Sequence, residues 1–382
     1  NQNKLELIYL PYNDLKIEPD AFKNCSHIRS LYLGNGDKRR GNHLIEFNKK
    51  HLSLFDPLRE HLEELNVAFD WKCSFNFLKR LKHLKKLTLN KNYFSLGKPL
   101  FNGADNQLVH LDLSNCQLKI KDKTMFNDLK CLKYLDLSEV ALQSIVLPGL
   151  FSELKQLDTL KLIRTRFKPT ANAFIHLANL KELHLVGIEI PKECSNIFAP
   201  LKCLQKLVMG ETETFNYDAF KKVNNNLREF KLSHISKIKI GKNFFYQHPN
   251  LESLDLSNLN SPIGFNAFST CVIKTNCIDL TAIANLKSLK SLNLRNNSLE
   301  LDQKDWKKII SLENLESLDL SLSDRERFMM RILKLNETTF KQMRNLKHLN
   351  LGDNQIKLEG NCFKHLTQLK HLDLSQTTFD ST

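Results

Sequence analysis

The 382-residue sequence predicts a curved α/β solenoid, one domain over residues 1–382 coiling around a parallel sheet on its concave side. Three observations predict it. A Leu-x-x-Leu-x-Leu segment recurs about fifteen times, most copies standing 22 to 25 residues apart. A phenylalanine precedes most copies by six or seven residues. Glycine and proline number only 12 and 10, so no flexible linker or domain boundary is marked.

The copies begin at Leu5, Ile28, Leu62, Leu84, Leu108, Leu132, Leu157, Leu180, Leu204, Leu227, Leu251, Leu289, Leu315, Leu346 and Leu369. Positions four and six of each copy alternate as in a short strand with its leucines on one face. Stacked copies make a parallel sheet whose leucines fill a continuous interior, and no copy can bury that face alone. Phe22, Phe126, Phe151, Phe174, Phe198, Phe245, Phe340 and Phe363 stand six residues before the next copy; Phe55, Phe77, Phe101 and Phe220 stand seven. These rings are expected to form an aromatic stack beneath an irregular, loop-rich convex side, as core rather than ligand contacts.

Asparagine at the ninth position bonds backbone groups between coils, and it occurs at Asn13, Asn92, Asn297 and Asn354. Cys116, Thr165, Thr212 and Thr377 can take part of that role, whereas Val140 and Ile188 cannot. Irregular curvature is expected around copies six to eight. Three spacings are long, and their extra residues leave the coil as loops. The first holds Lys38, Arg39 and Arg40, the second Cys271 and Cys277, and the third Phe328, Met329 and Met330 among charges. The third suits a partner or dimer contact, or hides a further short repeat.

The short motif, the leading phenylalanine and the irregular asparagine ladder resemble the extracellular class of leucine-rich repeats, and within it Toll-like receptor ectodomains. The resemblance covers the whole chain. It implies a horseshoe-shaped leucine-rich-repeat solenoid serving as the ligand- or partner-binding ectodomain of an innate-immune pattern-recognition receptor, acting by binding and dimerisation. It also implies an extracellular or endosomal-lumen location on a single-pass membrane protein. The alternative class is a non-signalling adhesion, matrix or adaptor protein, cytoplasmic in the last case. Cysteine-cluster caps, a membrane helix and a signalling domain have no counterpart in the sequence, which reads as a piece lacking its native caps.

The net charge of +14 points to a polyanion partner or to a lysine-solubilised surface. Positions three, five and seven, which face outward, carry eight acids and five bases, so the sheet centre is not where the positive charge lies. Position two is more basic. Arg29, Lys85, Lys133, Lys181 and Arg228 lie there as a candidate polyanion flank, with Lys290, Lys347 and Lys370 further along and Glu6, Glu63, Asp158, Glu252 and Glu316 between them. On the sheet itself, Ile163, Val186 and Val208 are placed to make an apolar partner-binding patch flanked by Tyr134 and His184. Phe328 and Met329 are the remaining partner-binding candidates, and Leu7, Tyr9 and Tyr32 read as surface against a missing cap. His348 and His371 occupy position three of adjacent copies, either as solvated side chains or as an acid-sensitive or metal-binding pair.

Nine cysteines leave at least one outside any internal pairing. Cys271 and Cys277 can close a loop, Cys194 and Cys203 offer another pairing, and Cys116 reads as a buried thiol. Asn24, Asn296 and Asn336 head glycosylation triplets. No phosphate-binding loop, nucleophile elbow, zinc spacing or cofactor motif occurs, so the chain is expected to be a binder and not an enzyme.

Overall fold

The computed structural model describes residues 4–11, 17–33, 45–51, 53–71, 76–94, 101, 107–118, 120, 123–140, 149–259, 277–297, 299, 301–322 and 332–379. They pack as two compact units, the first from residues 1–204 and 218–222, the second from 205–217 and 223–382. Asn13, Lys38 to Arg40, Cys271 and Phe328 to Met330 lie outside the described residues.

The first unit contains β1 (Leu7–Tyr9), β2 (Ser30–Tyr32), β3 (Ile45–Phe47), β4 (Glu64–Asn66), β5 (Phe69–Trp71), β6 (Lys86–Thr88), β7 (Tyr93–Phe94), β8 (His110–Asp112), β9 (Tyr134–Asp136), β10 (Thr159–Lys161) and β11 (Glu182–Val186). Eight of these form a parallel sheet in the order β1-β2-β4-β6-β8-β9-β10-β11, and β3-β5-β7 form a second sheet. The second unit contains β12 (Lys206–Thr214), β13 (Glu229–Lys237), β14 (Ser253–Asp255), β15 (Ser291–Asn293), β16 (Ser317–Asp319), β17 (Ile332–Asn336), β18 (His348–Asn350), β19 (Gln355–Glu359), β20 (His371–Asp373) and β21 (Thr378–Phe379). Its main sheet runs β12-β13-β14-β15-β16-β18-β20, with β17-β19-β21 alongside. Each copy read from the sequence thus folds as one strand over its positions three to five.

The register explains why such short strands hold. Leu87 pairs with Leu111, Leu111 with Leu135, and Leu160 with Leu183, so the same position meets itself in the next copy. Leu87, Leu89, Leu111, Leu113, Leu135, Leu137, Leu160, Leu162, Leu183 and Leu185 are all 0% exposed. Each contributes about 1.5–3 kcal/mol of apolar burial. Leu5 and Leu372 are 45% and 40% exposed.

Position eight takes a left-handed backbone turn in eleven of the copies. Lys91, Asn115, Glu139, Arg164, Glu211, His234, Asn258, Asn296, Asp353 and Gln376 all have φ between 51° and 61°, and Gly187 fills the same slot at 76°. In the three-residue strands a left-handed residue lies just beyond the strand end and aims its own N–H at the next copy, whereas β12 and β13 run on past Glu211 and His234. Lys91, Asn115, Glu139 and Arg164 donate in this way to the carbonyls of Ser114, Ser138, Ile163 and Val186 over 2.7–3.0 Å.

Position nine follows the expected ladder. The Asn92 amide donates to the carbonyls of Val67 and Leu89, at 2.7 and 2.6 Å. Asn297 bridges Leu256 and Leu294, and Asn354 bridges Leu320 and Leu351. The Cys116 thiol donates across copies to Leu89 at 2.8 Å, while Thr165 and Thr377 reach only carbonyls of their own copies. Val140 and Ile188 are buried apolar rungs. The phenylalanines are core: Phe126, Phe174, Phe220 and Phe340 are fully buried, and Phe101–Phe126 and Phe340–Phe363 stack at 6.1 and 5.9 Å. The Phe77 side chain lies outside the described residues.

Candidate functional site

The outward face of the first unit's sheet gathers groups with shifted protonation. His110, at position three of its copy, lies flat on Tyr134, the next residue in register, with 4.1 Å between ring centroids and 5° between planes. Lys161 holds its ammonium 5.2 Å from the Tyr134 centroid, a cation–π contact, and Tyr134 donates to Asp136 at 3.3 Å. Burial, then the charge of Lys86, holds His110 down to about 4. Burial raises the Asp112 carboxyl and the Tyr134 phenol. Such a concentration of perturbed groups on one face is a mark of a functional site.

The acids here have a structural task as well. Asp112 and Asp136 accept the backbone N–H of Ser114 and Ser138, each at 2.8 Å, and Asp255, Asp319 and Asp373 repeat the bond in the second unit. The recurrent Leu-Asp-Leu-Ser therefore ends a strand, with the carboxylate at position five holding the amide at position seven.

Ile163 and Val186 are half-buried at position seven of neighbouring copies, beside the Lys161–His184 register pair. His184 meets Glu182 at 2.6 Å. Tyr134, Ile163, His184 and Val186 thus share one face of the first unit. Val208 does not extend an exposed patch. It is 8% exposed in the second unit, within the buried run Leu207–Gly210 of β12, where alternation gives way to cover on both faces.

The basic flank is largely neutralised by its own acids. Glu63 takes both Arg29 at 2.7 Å and Lys85 at 2.8 Å, and its carboxyl is lowered first by the Lys85 bond and then by Arg29. Lys181 pairs with Asp158 at 3.1 Å, Arg228 and Lys290 both reach Glu252, and Lys347 pairs with Glu316. Lys133 alone of the five candidates has no ion pair among the described residues. In the second unit the same margin bounds an open groove of about 560 Å³ between Arg228, Glu252, Lys290, Glu316 and Lys347.

A second amide ladder has no counterpart among the sequence expectations. The residue just before position one is asparagine in five copies, and the amides of Asn179, Asn250, Asn314 and Asn345 donate to the carbonyls of Lys155, Asn225, Lys287 and Glu313 of the preceding copy at 2.9–3.2 Å. The signal for it is asparagine recurring directly before the first leucine.

Residues 1–53, 73–181 and 170–300 match the family described as a BspA type leucine rich repeat region (6 copies), and residues 330–379 match the leucine rich repeat family. The chain is a leucine-rich-repeat protein. It is 29% identical to Toll-like receptor 4 of Equus caballus over 293 residues, which cover 72% of this chain and 31% of the receptor. The chain therefore spans about a third of that receptor's length. Three solved structures share the fold. A leucine-rich-repeat protein of Leptospira interrogans aligns over 100% of this chain and 92% of its own, with TM-score 0.67 and 21% identity. The TLR13–ssRNA13 complex aligns over 99% of this chain and 62% of its own, at 0.60 and 22%. An internalin of Listeria monocytogenes aligns over 82% of this chain and 79% of its own, at 0.54 and 17%.

This leucine-rich-repeat protein places its modification candidates unevenly. Asn24 is exposed, and Asn336 is half-buried, with its side-chain oxygen accepting from the backbone and hydroxyl of Thr338. Asn296 does not suit a glycan: it is 8% exposed at a left-handed turn, and its amide donates to Asn258 at 2.7 Å. Cys194 and Cys203 do not pair, since the Cys194 thiol is buried against the carbonyl of Pro169 and Cys203 is exposed. Cys277 is buried beside the Ile240–Ile278 bridge, and its expected partner Cys271 lies outside the described residues. His348 and His371 stack at 4.8 Å and 7°. Among the described residues no three His, Cys, Asp or Glu are placed to hold a metal ion, and no helix is long and apolar enough to cross a membrane.

Proposed function

We propose that this chain is the binding part of a Toll-like receptor ectodomain, in the cell exterior or endosomal lumen, which engages a protein or microbial ligand and then dimerises. The observation that carries this reading is the outward face of the first unit. There the stacked His110–Tyr134 pair, the Asp112–Asp136 pair and half-exposed Ile163 and Val186 lie within a few strands about 4.8 Å apart. Apolar groups rimmed by partly desolvated charge make a usual recognition surface. The similarity to Toll-like receptor 4 supports the receptor class, and the ssRNA held in the TLR13 complex makes nucleic acid one ligand class to try. Asn24 and Asn336 are the proposed glycan sites, and Lys133 is the member of the basic flank best able to meet a polyanion.

The test presents immobilised chain with a panel of microbial lipids, peptidoglycan fragments, flagellar protein and single-stranded RNA, alongside an Ile163→Glu/Val186→Glu variant of unchanged circular dichroism. One ligand should bind the unaltered chain, be lost on the variant and double the mass in light scattering. Binding that the variant retains would move the site off this face. No binding across the panel would favour a non-signalling adhesion or adaptor scaffold.

A further inference from the structure

β12 and β13 are nine residues each, three times the usual strand here, and stay paired as far as Thr214 and Lys237. Beyond that point the second unit builds an apolar floor. Phe244 stacks with Tyr217 at 4.7 Å and with Phe215 at 5.7 Å, and the Tyr217 hydroxyl ties down the loop by donating to the Asn243 carbonyl at 3.0 Å. These residues and Ile238 bound an open groove of about 490 Å³. Lys237, Lys239 and Lys242 form its rim; Lys237 is engaged by Glu213, whereas Lys239 and Lys242 are exposed with no ion pair among the described residues. Lys239 also borders a smaller hollow of about 250 Å³ lined by Ile278, Leu280, Leu299 and Leu301 together with Asp279, Asp305 and Lys308.

We propose that this margin of the second unit is a docking groove for an acidic peptide segment of a partner protein. An apolar side chain seats on Phe215, Tyr217 and Ile238, and carboxylates reach Lys239 and Lys242. The charge of the groove selects an anion, and the chain's net +14 disfavours a second copy of itself. The apolar floor of Phe215, Tyr217 and Phe244 suits a seated side chain, and the lysines at its rim suit carboxylates beside it. The site is independent of the ligand face proposed above, lying in the other unit and on loops outside the sheet.

The probe is a fluorescein-labelled peptide of alternating glutamate and leucine, with the glutamine counterpart as control and a thymidine oligonucleotide as the nucleic-acid arm. Fluorescence anisotropy on the full chain should show salt-sensitive binding of the glutamate peptide. That affinity should fall about tenfold or more in Lys239→Glu/Lys242→Glu. Gly241→Trp gives a second variant, since a Cβ at Gly241 meets nothing within 4 Å and the indole fills the groove without disturbing the core. Equal binding of the glutamine peptide, or unchanged affinity in both folded variants, overturns the proposal. Tighter oligonucleotide binding that the same variants abolish overturns it in favour of nucleic acid.

Discussion

The imidazole of His110 covers the face of Tyr134 at 4.1 Å, while the Lys161 ammonium stands 5.2 Å from the same ring. A protonated His110 would bring a third positive charge beside Lys161 and Lys86 in a half-buried setting. The folded chain therefore keeps this ring neutral until about pH 4, against 6.5 for a free histidine.

As pH falls through 6.5 the unfolded chain takes up that proton first. The stability tied to neutral His110 is fully present above about pH 6.5 and is lost as pH falls toward 4. Because the ring is partly solvated, the loss is about 1 kcal/mol and not the full shift. In thermal melts at pH 7.5 and 4.5, His110→Gln should show a smaller acid-induced drop than the unaltered chain. An identical drop would refute the assignment.

Gly210 has φ 152°, and a Cβ there would lie 2.2 Å from the Ser233 carbonyl oxygen, its partner across the β12–β13 pair. No side-chain rearrangement relieves a clash with backbone. Gly210→Ala should cost at least about 2 kcal/mol in urea unfolding and raise amide exchange along β12 and β13. Gly187→Ala meets only a 3.3 Å contact with Arg164 Cα but places alanine at φ 76°, and should cost about 1 kcal/mol.

Removing Asn92 leaves the buried carbonyls of Val67 and Leu89 without its amide. Asn92→Ala should destabilise by about 2 kcal/mol. Cys116→Ala should cost less, since one weak thiol bond to Leu89 is lost. Reversal of that order in denaturant midpoints would show that the ladder is not held by its side-chain donors.

Glu252 occupies both Arg228 and Lys290. Glu252→Gln should strengthen retention on a heparin column, and Lys133→Gln should weaken it. An unchanged elution salt in both variants would remove the flank as a polyanion surface.

The coil was legible because its signal is local: leucines at positions one, four and six bury themselves whatever the neighbours carry. Cys116 was legible for the same reason, since a thiol at the ninth position has one carbonyl to face. The polar groups were less so. Asp112 looks like surface charge until the amide two residues on is seen to need an acceptor. Arg29 and Lys85 look like a basic patch until the register brings Glu63 between them. Val208 falls on an outward position by count, yet β12 is covered on both faces there. The groove at Phe215, Tyr217 and Phe244 draws its walls from loops joined to different copies, and no single repeat carries its pattern.

The left-handed residue at the eighth position performs its task with backbone alone. Lysine, arginine, glutamate, histidine and glutamine all serve there, and most of their side chains project into solvent. Where that side chain is exposed, as at Lys91, Asn115, Glu139, Arg164, His234 and Gln376, the coil offers a site where chemistry can change without altering shape. Such substitutable points turn a repetitive scaffold into a surface whose specificity can be rewritten one residue at a time.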